Sequence, residues 1–244
     1  MRPTRRISTA TRRAIAAVFE RLDYRRLAST YCYEGGDEFW KTKREPCRRL
    51  GMRMGEVLLT RLAAGGHSLY VGAGVAELPV LLVESLELHR SVLPCNLRSS
   101  EVATLNRACR GLPLRFHAMD AGIVRGSFDH LWIVSVLNDP ERFPHLAALS
   151  YGRAAPLTFN PGVFVRERRI VRSLVNRCMA KLRLPAVVTT SEEEVNWIAD
   201  WCHRKSIPYV VERRQFQTAL VGDPICVLLA GRRREKTIRE RRQG

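Results

Sequence analysis

The sequence lacks any apolar run long enough to cross a membrane. Its longest apolar stretches, LPVLLV at 78–83 and ICVLLA at 225–230, are far shorter than the roughly 20 residues of a membrane-spanning helix. It also lacks an internal repeat and a low-complexity tract, and 45% of its 244 residues are hydrophobic. This length and composition predict a globular protein with a sizeable core, and they exclude fibrous and disordered chains.

No two cysteines have the C-x-x-C spacing, and the six histidines show no zinc-binding pattern. The seven cysteines are Cys32, Cys47, Cys95, Cys109, Cys178, Cys202 and Cys226. An odd, widely spaced set is typical of free thiols in a reducing compartment, so we expect a cytoplasmic protein without a metal site. The Arg- and Ser-rich start at 1–19 also fits a transit peptide, but its helical apolar spacing continues past residue 20 and favours a surface helix.

Lysine is scarce: only five of the 41 basic residues are lysine. The net charge of +17 favours acidic partners such as nucleic acid. Residues 1–53 carry +8 and residues 232–244 carry +5, which leaves +4 for the rest. We therefore predict a basic N-terminal helical segment with a lid at 1–53, an α/β domain at 54–231 and a basic tail at 232–244.

Two helices are predicted in the N-terminal segment. One runs from about Thr9 to Leu27, and the second begins at Pro46 and ends before Gly65, because proline suits a first helical turn and glycine follows a helix end. The stretch between them, YCYEGGDEFWK at 31–41, is aromatic and contains two glycines. It is predicted to be a loop.

From His67 onwards, predicted strands and helices alternate. The strands are HSLYV (67–71), RSVLPC (90–95), LRFHAM (114–119) and FDHLWIVSVL (128–137), and the helices lie at 75–88 and 99–111 with a serine as the second helix's N-cap. Continuous apolar strands joined by helices are typical of parallel sheets with both faces covered. The order predicts a doubly wound, mostly parallel α/β sheet.

In the second half of the chain, the sequence does not decide which segment forms the fifth strand. An amphipathic helix is predicted at 168–184, and another at 191–205 that begins with a capping box of Ser191 and Glu194. Strands at 208–214 and 225–231 are predicted to form an antiparallel pair. The fifth parallel strand is either PLTFN at 156–160 or PAVVTT at 185–190.

The most informative motif is the glycine turn LYVGAGVAE at 69–77. A glycine turn between a first strand and a first helix lets the backbone approach a ligand closely. Two further motifs follow at suitable intervals, HAMDAG at 117–122 and GSFDHLWIVSVLND at 126–139. A G-x-G alone is a weak signal, but the three motifs together are moderately specific.

Together these motifs resemble the class I (Rossmann-like) S-adenosylmethionine-dependent methyltransferases, over about residues 25 to 231. The resemblance implies a seven-stranded sheet with an antiparallel last strand, and S-adenosylmethionine as the cofactor. It implies that Gly72 and Gly74 line the methionine and ribose. It also implies that Asp120, followed by Ala121, accepts a hydrogen bond from the adenine amino group, and that Val136 to Asp139 face the methyl-transfer site.

The first motif departs from the family's pattern at two positions. The family usually has an acid two residues before the first glycine, where this chain has Tyr70. The ribose-binding acid after the second strand is replaced by Asn96, or by Cys95 in a shifted alignment. An amide has one acceptor oxygen where a carboxylate has two. Each loss costs roughly 1 to 3 kcal/mol of binding free energy, and we expect weakened but retained binding.

Asp139 is the candidate general base, because in this architecture the fourth strand ends at the reaction centre. The alternative is that Asn138-Asp139-Pro140 is only a helix-start signal with Asp139 as its cap. The candidate substrate or lid residues are Tyr31, Tyr33 and Trp40. The alternative for these aromatics is packing between the N-terminal helices.

Two functions from different classes follow. The first is a methyltransferase that uses S-adenosylmethionine and acts on RNA or a small molecule. The alternative is a catalytically silent protein of the same fold that binds RNA or another polyanion through its basic surfaces. Residues 166–183 hold seven basic residues and one acidic residue, and 232–242 is RRREKTIRERR. Such clusters suit a phosphate backbone, although a solvated arginine-rich surface is equally consistent with them.

Overall fold

The computed structural model describes residues 6–30, 35–155, 157–217 and 223–232. Its centre is one seven-stranded sheet in the order β3-β2-β1-β4-β5-β7-β6. The strands are β1 His67–Val71, β2 Ser91–Asn96, β3 His117–Ala118, β4 Phe128–Ile133, β5 Leu182–Ser191, β6 Tyr209–Val211 and β7 Ile225–Ala230. Buried apolar residues fill β1, β4 and β7 along nearly their whole length, as expected for strands covered on both faces.

Eight α-helices and one short 3₁₀ helix surround the sheet in the described residues. They are α1 Thr9–Arg21, α2 Tyr24–Thr30, α3 Asp37–Leu58, α4 Leu78–Glu87, α5 Ser99–Ala108, the 3₁₀ helix Ala121–Ile123, α6 Pro144–Ser150, α7 Pro161–Met179 and α8 Val195–Arg204. The apolar residues of α1 to α5 share one core, and those of α6 to α8 share a second. The sheet therefore separates two helical layers.

The pairing directions identify the architecture. Strands β3, β2, β1, β4 and β5 are parallel, whereas β7 pairs antiparallel with both β5 and β6. This is a doubly wound, mostly parallel sheet with an antiparallel last strand. The predicted fold class is confirmed.

The structure decides the open choice of fifth strand. Leu182–Ser191 is β5 and pairs in parallel with β4, so 185–190 is the strand. Residues 157–160 instead form a turn, and the Asn160 side chain accepts a hydrogen bond from the Val163 amide and caps α7. The predicted antiparallel pair of β6 and β7 is confirmed.

Several helix boundaries differ from the predictions. The first helix breaks at Leu22, and Asp23 accepts a hydrogen bond from the Arg26 amide at the start of α2. Helix α3 begins at Asp37, so the last part of the predicted loop, 37–41, is helical and Pro46 lies inside the helix rather than at its start.

The predicted N-terminal caps of α8 and α5 are also wrong. Ser191 ends β5 and α8 begins at Val195, so Ser191 and Glu194 do not form the predicted capping box. The N-cap of α5 is Arg98, which makes no side-chain cap, rather than the expected serine.

Helix α3 crosses residue 53, the predicted end of the N-terminal segment. Its Trp40 and Met54 lie in the same core as Leu81 of α4. The predicted division at 53 therefore falls within a continuous helix that packs against α4. Residues 233–244 of the predicted tail lie outside the described residues.

Candidate functional site

The glycine turn after β1 touches the loop after β4. Gly72 has a φ of +71° and an exposed backbone. A Cβ added there would lie 2.8 Å from the Val136 Cγ2 atom, so the turn requires glycine both for its backbone angle and for this close approach. Two residues predicted at the cofactor site are thus brought together at the carboxyl end of the parallel strands.

The amides of this turn have partners within the chain. The Gly74 amide donates to the Glu77 Oε2 atom at 2.8 Å, and the Ala73 amide donates to the Cys95 carbonyl oxygen at 3.0 Å. Burial raises the pKa of Glu77 to about 7, and the Gly74 hydrogen bond partly offsets that rise. Glu77 was not among the predicted site residues, although it stands at the end of the glycine motif.

Tyr70 belongs to the core. Its ring is fully buried and stacks on Trp132 with ring centroids 5.4 Å apart. Its hydroxyl donates to the Glu84 Oε1 atom at 2.6 Å. At the position where the family carries an acid, this chain therefore has a tyrosine bound to a buried acid on α4.

Glu84 is the centre of a buried polar network. Besides Tyr70, its carboxylate contacts Arg90 Nε at 3.1 Å and His130 Nδ1 at 2.9 Å, and it accepts a short hydrogen bond from the Ser68 hydroxyl. Burial opposes its ionisation, but His130 and Arg90 together lower its pKa. The network joins α4 to β1, to β4 and to Arg90 just before β2, so its role is structural.

Asn96 is also fully engaged within the chain. Its Nδ2 atom donates to the Ala73 carbonyl oxygen at 2.9 Å and to Glu101 Oε2 at 3.1 Å, and its Oδ1 atom accepts from the Arg98 amide at 2.8 Å. Its side chain is directed into the protein rather than toward a ligand. At the alternative position, burial first and Asp120 second raise the pKa of the Cys95 thiol to about 11.

Asp120 lies just beyond β3 and remains partly exposed. Its Oδ1 atom accepts from the Gly122 amide at 2.7 Å, and its Oδ2 atom contacts Arg177 of α7 at 3.2 Å. The side chain keeps 33% of its surface exposed, whereas Ala121 is buried. Asp120 therefore caps the 3₁₀ helix and still presents a carboxylate at the carboxyl edge of the sheet.

The loop after β4 is bound by a carboxylate that we did not predict at this site. Glu194 accepts hydrogen bonds from the amides of Ser135, Val136 and Leu137 at 2.9, 2.6 and 2.5 Å. Ser135 has a φ of +55°, a conformation that turns successive amides toward one anion. Burial raises the pKa of Glu194 to about 7, and the amide hydrogen bonds lower it in part. The two segments are nearly 60 residues apart, so no local sequence signal reveals the contact.

Asp139 starts a turn at the end of this loop. Its Oδ1 atom accepts from the Glu141 amide at 2.9 Å, and its carbonyl oxygen accepts from the Phe143 amide at 2.7 Å. These bonds stabilise a turn, and α6 begins only at Pro144 with Phe143 as its N-cap, so Asp139 does not cap a helix as the alternative expected. The half-buried side chain lies at the predicted reaction edge. The preceding Asn138 is buried and donates to the Tyr151 hydroxyl at 2.9 Å.

The predicted lid residues separate into two groups. Trp40 is buried and packs against Tyr24 and Phe39, with ring centroids 5.7 and 4.9 Å apart. This matches the packing alternative for that residue. Tyr31 and Tyr33 lie outside the described residues.

No protein-family model matches the sequence, and no curated protein matches it. The fold is similar to that of several solved structures. These include a methyltransferase from Pyrococcus furiosus (14% identity, 74% of this chain and 82% of that chain, TM-score 0.48) and magnesium protoporphyrin IX methyltransferase from Synechocystis PCC 6803 with bound SAM (10% identity, 85% and 97%, TM-score 0.49). Another is ribosomal protein L11 methylase from Lactobacillus delbrueckii subsp. bulgaricus (11% identity, 78% and 80%, TM-score 0.46).

The strand order decides the fold, since it places an antiparallel β7 between β5 and β6. The sheet has the seven strands and the antiparallel last strand that the resemblance to the class I methyltransferases implies. The carboxyl ends of β1, β3 and β4 lie at one edge of the sheet, where Gly72, Asp120 and Val136 follow them. Within the described residues, no helix is long and apolar enough to span a membrane, and no group of three or more His, Cys, Asp or Glu side chains is arranged to hold a metal ion.

The residues of this edge fit S-adenosylmethionine at some positions and not at others. Gly72 offers an exposed backbone where any side chain would collide, and Asp120 offers a partly exposed acceptor. Asn96 does not fit the role of a ribose ligand, because each of its polar atoms is bonded within the chain. The edge therefore has a glycine turn and a partly exposed acid at the position predicted for adenine binding, and it has no acid at the position predicted for ribose binding.

Proposed function

We propose that the chain binds S-adenosylmethionine at the carboxyl edge of its sheet and transfers the methyl group to an acceptor. The observation that carries this proposal is Gly72, whose exposed left-handed turn lies between β1 and α4 in a sheet of methyltransferase order. Asp120, which follows β3 two strands further along the chain, supports it. The six described cysteines are buried free thiols, which supports a reducing, cytoplasmic location.

Bound S-adenosylmethionine supplies an activated methyl group, so the protein mainly has to position the reactants. In the proposal, the Gly72 backbone lies against the cofactor and the Asp120 carboxylate accepts from the adenine amino group. Glu194 fixes the loop that carries Val136 through three amide hydrogen bonds. Asp139 takes the proton that the acceptor loses.

A ligand titration tests the cofactor proposal. Adenosylhomocysteine at millimolar concentration should raise the Tm by several degrees, because a ligand that binds only the folded state stabilises it. Asp120→Ala should abolish the shift, whereas Asp200→Ala, which removes a carboxylate of similar exposure that pairs with Arg204 on α8, should leave it intact. Isothermal calorimetry on the same proteins provides an independent measurement.

A flat titration of the wild-type protein in both assays would contradict the proposal. It would instead favour the catalytically silent alternative, which has its own structural support. At this edge the Gly74 amide, the Asn96 side chain and the amides of 135–137 are all bonded within the chain. A site whose polar groups already have internal partners gains less from a ligand.

We propose RNA as the first acceptor class to test, with small molecules as the second. Arg177 of α7 contacts Asp120, so α7 reaches the proposed site. The same helix presents Arg168, Arg169 and Arg172 beside Val165 along a shallow surface groove. Transfer of a labelled methyl group to purified cellular RNA, lost after ribonuclease treatment, would support RNA. Label in the small-molecule fraction alone would contradict it.

A further inference from the structure

A second basic feature lies far from the carboxyl edge. It is a groove of about 650 Å³ between the N-terminus of α1, the end of α3 and the β6–β7 edge of the sheet. Five arginines line it: Arg6, Arg53, Arg61, Arg214 and Arg232. We call it the arginine groove. These residues come from four separate segments of the chain, so the groove exists only in the folded protein.

The sheet register places the arginine groove away from the proposed methyl-transfer site. Leu229 of its lining pairs with Val187, near the start of the β5 segment that pairs with β7, while the carboxyl end of β5 pairs with Ile225. Thr60 lies in the turn after α3, precedes β1 and also lines the groove. Both observations put the groove toward the amino ends of the parallel strands.

The carboxylates of the arginine groove are already paired. Glu212 forms two bonds of 2.9 Å with Arg61, and Glu56 contacts Arg12 at 2.7 Å. Within the described part of the chain, Arg6, Arg53 and Arg232 form no ion pair.

The lining therefore has a net charge of +3, with exposed guanidinium groups. Arg214 lies over the Phe216 ring, with 4.9 Å from its guanidinium carbon to the ring centroid. Such groups repel one another until an anion neutralises them.

The chemistry of the lining selects the ligand. Guanidinium groups match phosphate oxygens in pairs of parallel hydrogen bonds. Among the residues that line the groove, none is aromatic, and the apolar ones are only Val57 and Leu229. The groove has several guanidinium groups that can bind phosphates and no aromatic side chain on which a base could stack. It therefore suits the phosphodiester backbone of a nucleic acid rather than its bases.

We propose that the arginine groove binds the phosphodiester backbone of a nucleic acid without sequence preference. The proposal does not rest on methyl transfer, since no residue of the carboxyl edge lines the groove. Binding should weaken as salt increases, because phosphate neutralisation releases counterions, with a slope of about −0.7 per phosphate for single strands.

The test is fluorescence anisotropy with labelled single-stranded RNA and DNA of the same mixed sequence, using the full chain over a range of KCl concentrations. Arg53→Gln/Arg214→Gln should weaken binding at least about tenfold at low salt and should reduce the salt slope by about 1.4. An equal loss of affinity for RNA and DNA would show that the groove contacts the phosphodiester backbone that both share. A larger loss for RNA would show that it prefers the ribose-containing backbone.

The matched control is Arg115→Gln/Arg125→Gln. Both arginines are exposed, and they flank β3 at the opposite edge of the sheet. This control removes the same charge and should change neither the affinity by more than about twofold nor the slope. Equal loss in both double variants would overturn the proposal, because only the net charge would then matter. Absent or salt-independent binding would overturn it as well, as would equally strong competition by poly-glutamate.

Discussion

The Glu194 carboxylate binds the Val136 amide at 2.6 Å, and thereby joins the start of α8 to the loop after β4. The same oxygen accepts from Leu137 and the other oxygen accepts from Ser135. Glu194 thus supplies hydrogen-bond acceptors for three successive backbone amides of this loop and fixes its conformation. The geometry of the proposed methyl-transfer edge thus depends on Glu194, the N-cap residue of α8.

The pH dependence of stability should reveal this carboxylate. Its pKa in the folded protein is about 7, above the ordinary value of 4.5, so the folded chain binds the proton more tightly than the unfolded chain between these values. This group therefore makes the protein less stable as pH rises from about 4.5 to 7. Glu194→Gln should flatten the dependence of the Tm on pH in that window. Glu192→Gln, at an exposed carboxylate two residues earlier, should retain the wild-type dependence, and an unchanged profile in Glu194→Gln would contradict the assignment.

Alanine substitutions at two glycines with the same φ distinguish the cost of backbone strain from the cost of a steric clash with Val136. Gly72 and Gly65 both have a φ of +71°, but an added Cβ meets Val136 only at Gly72 and nothing within 4 Å at Gly65. Gly65→Ala should cost about 1 kcal/mol of unfolding free energy from backbone strain alone. Gly72→Ala should cost about 2 kcal/mol more, because the loop after β4 has to shift. Urea denaturation measures both, and equal losses would show that the contact with Val136 is unimportant.

The position of Asn96 can be tested by restoring an acid. In Asn96→Asp, the new carboxylate would face Glu101, whose Oε2 atom lies 3.1 Å from the Asn96 Nδ2 atom. The two carboxylates should repel each other and lower stability by about 1 to 3 kcal/mol at pH 8, and less at pH 5 where one of them is protonated. Adding Glu101→Gln should recover most of the loss, since the Gln amide can donate to the new acid. A failure of this rescue would contradict the proposed contact.

The buried network around Glu84 should contribute strongly to the free energy of unfolding, because it attaches α4 to the sheet. Glu84→Ala leaves the buried Arg90 with Asp129 as its ion-pair partner and with hydrogen bonds to Ser68 and Ala63. Removal of one partner of a buried ion pair costs about 3 to 5 kcal/mol. Glu56→Ala removes a partly exposed partner of Arg12 and should cost less than about 1 kcal/mol. Chemical denaturation of the two variants compares them directly, and similar small losses would show that the network contributes little.

Much of the fold was predictable because its central strands are short apolar runs. β1, β2 and β4 were located within a few residues, since a strand buried on both faces leaves a continuous hydrophobic signature. The start of α3 was missed because Gly36 and Pro46 are both helix-boundary residues in most contexts. The fifth strand could not be chosen from local pattern, because only pairing with β4 and β7 distinguishes Leu182–Ser191 from the other candidate.

The candidate site was less predictable, because side-chain partners are set by tertiary contacts. The sequence locates Gly72 and Asp120 at the carboxyl edge through their spacing from apolar strands. It does not show that Asn96 bonds to Ala73 or that Tyr70 bonds to Glu84. The Glu194 carboxylate had a plausible local partner in Ser191, and the structure assigns it a distant one.

The strand order has a consequence for synthesis on the ribosome. β7 lies between β5 and β6, although it is the last of the seven strands in the chain. Until it emerges, β5 has an open edge and β6 has no neighbour in the sheet. The nascent chain therefore carries exposed backbone hydrogen-bonding groups until its final strand inserts, and it depends most on protection from aggregation during that interval.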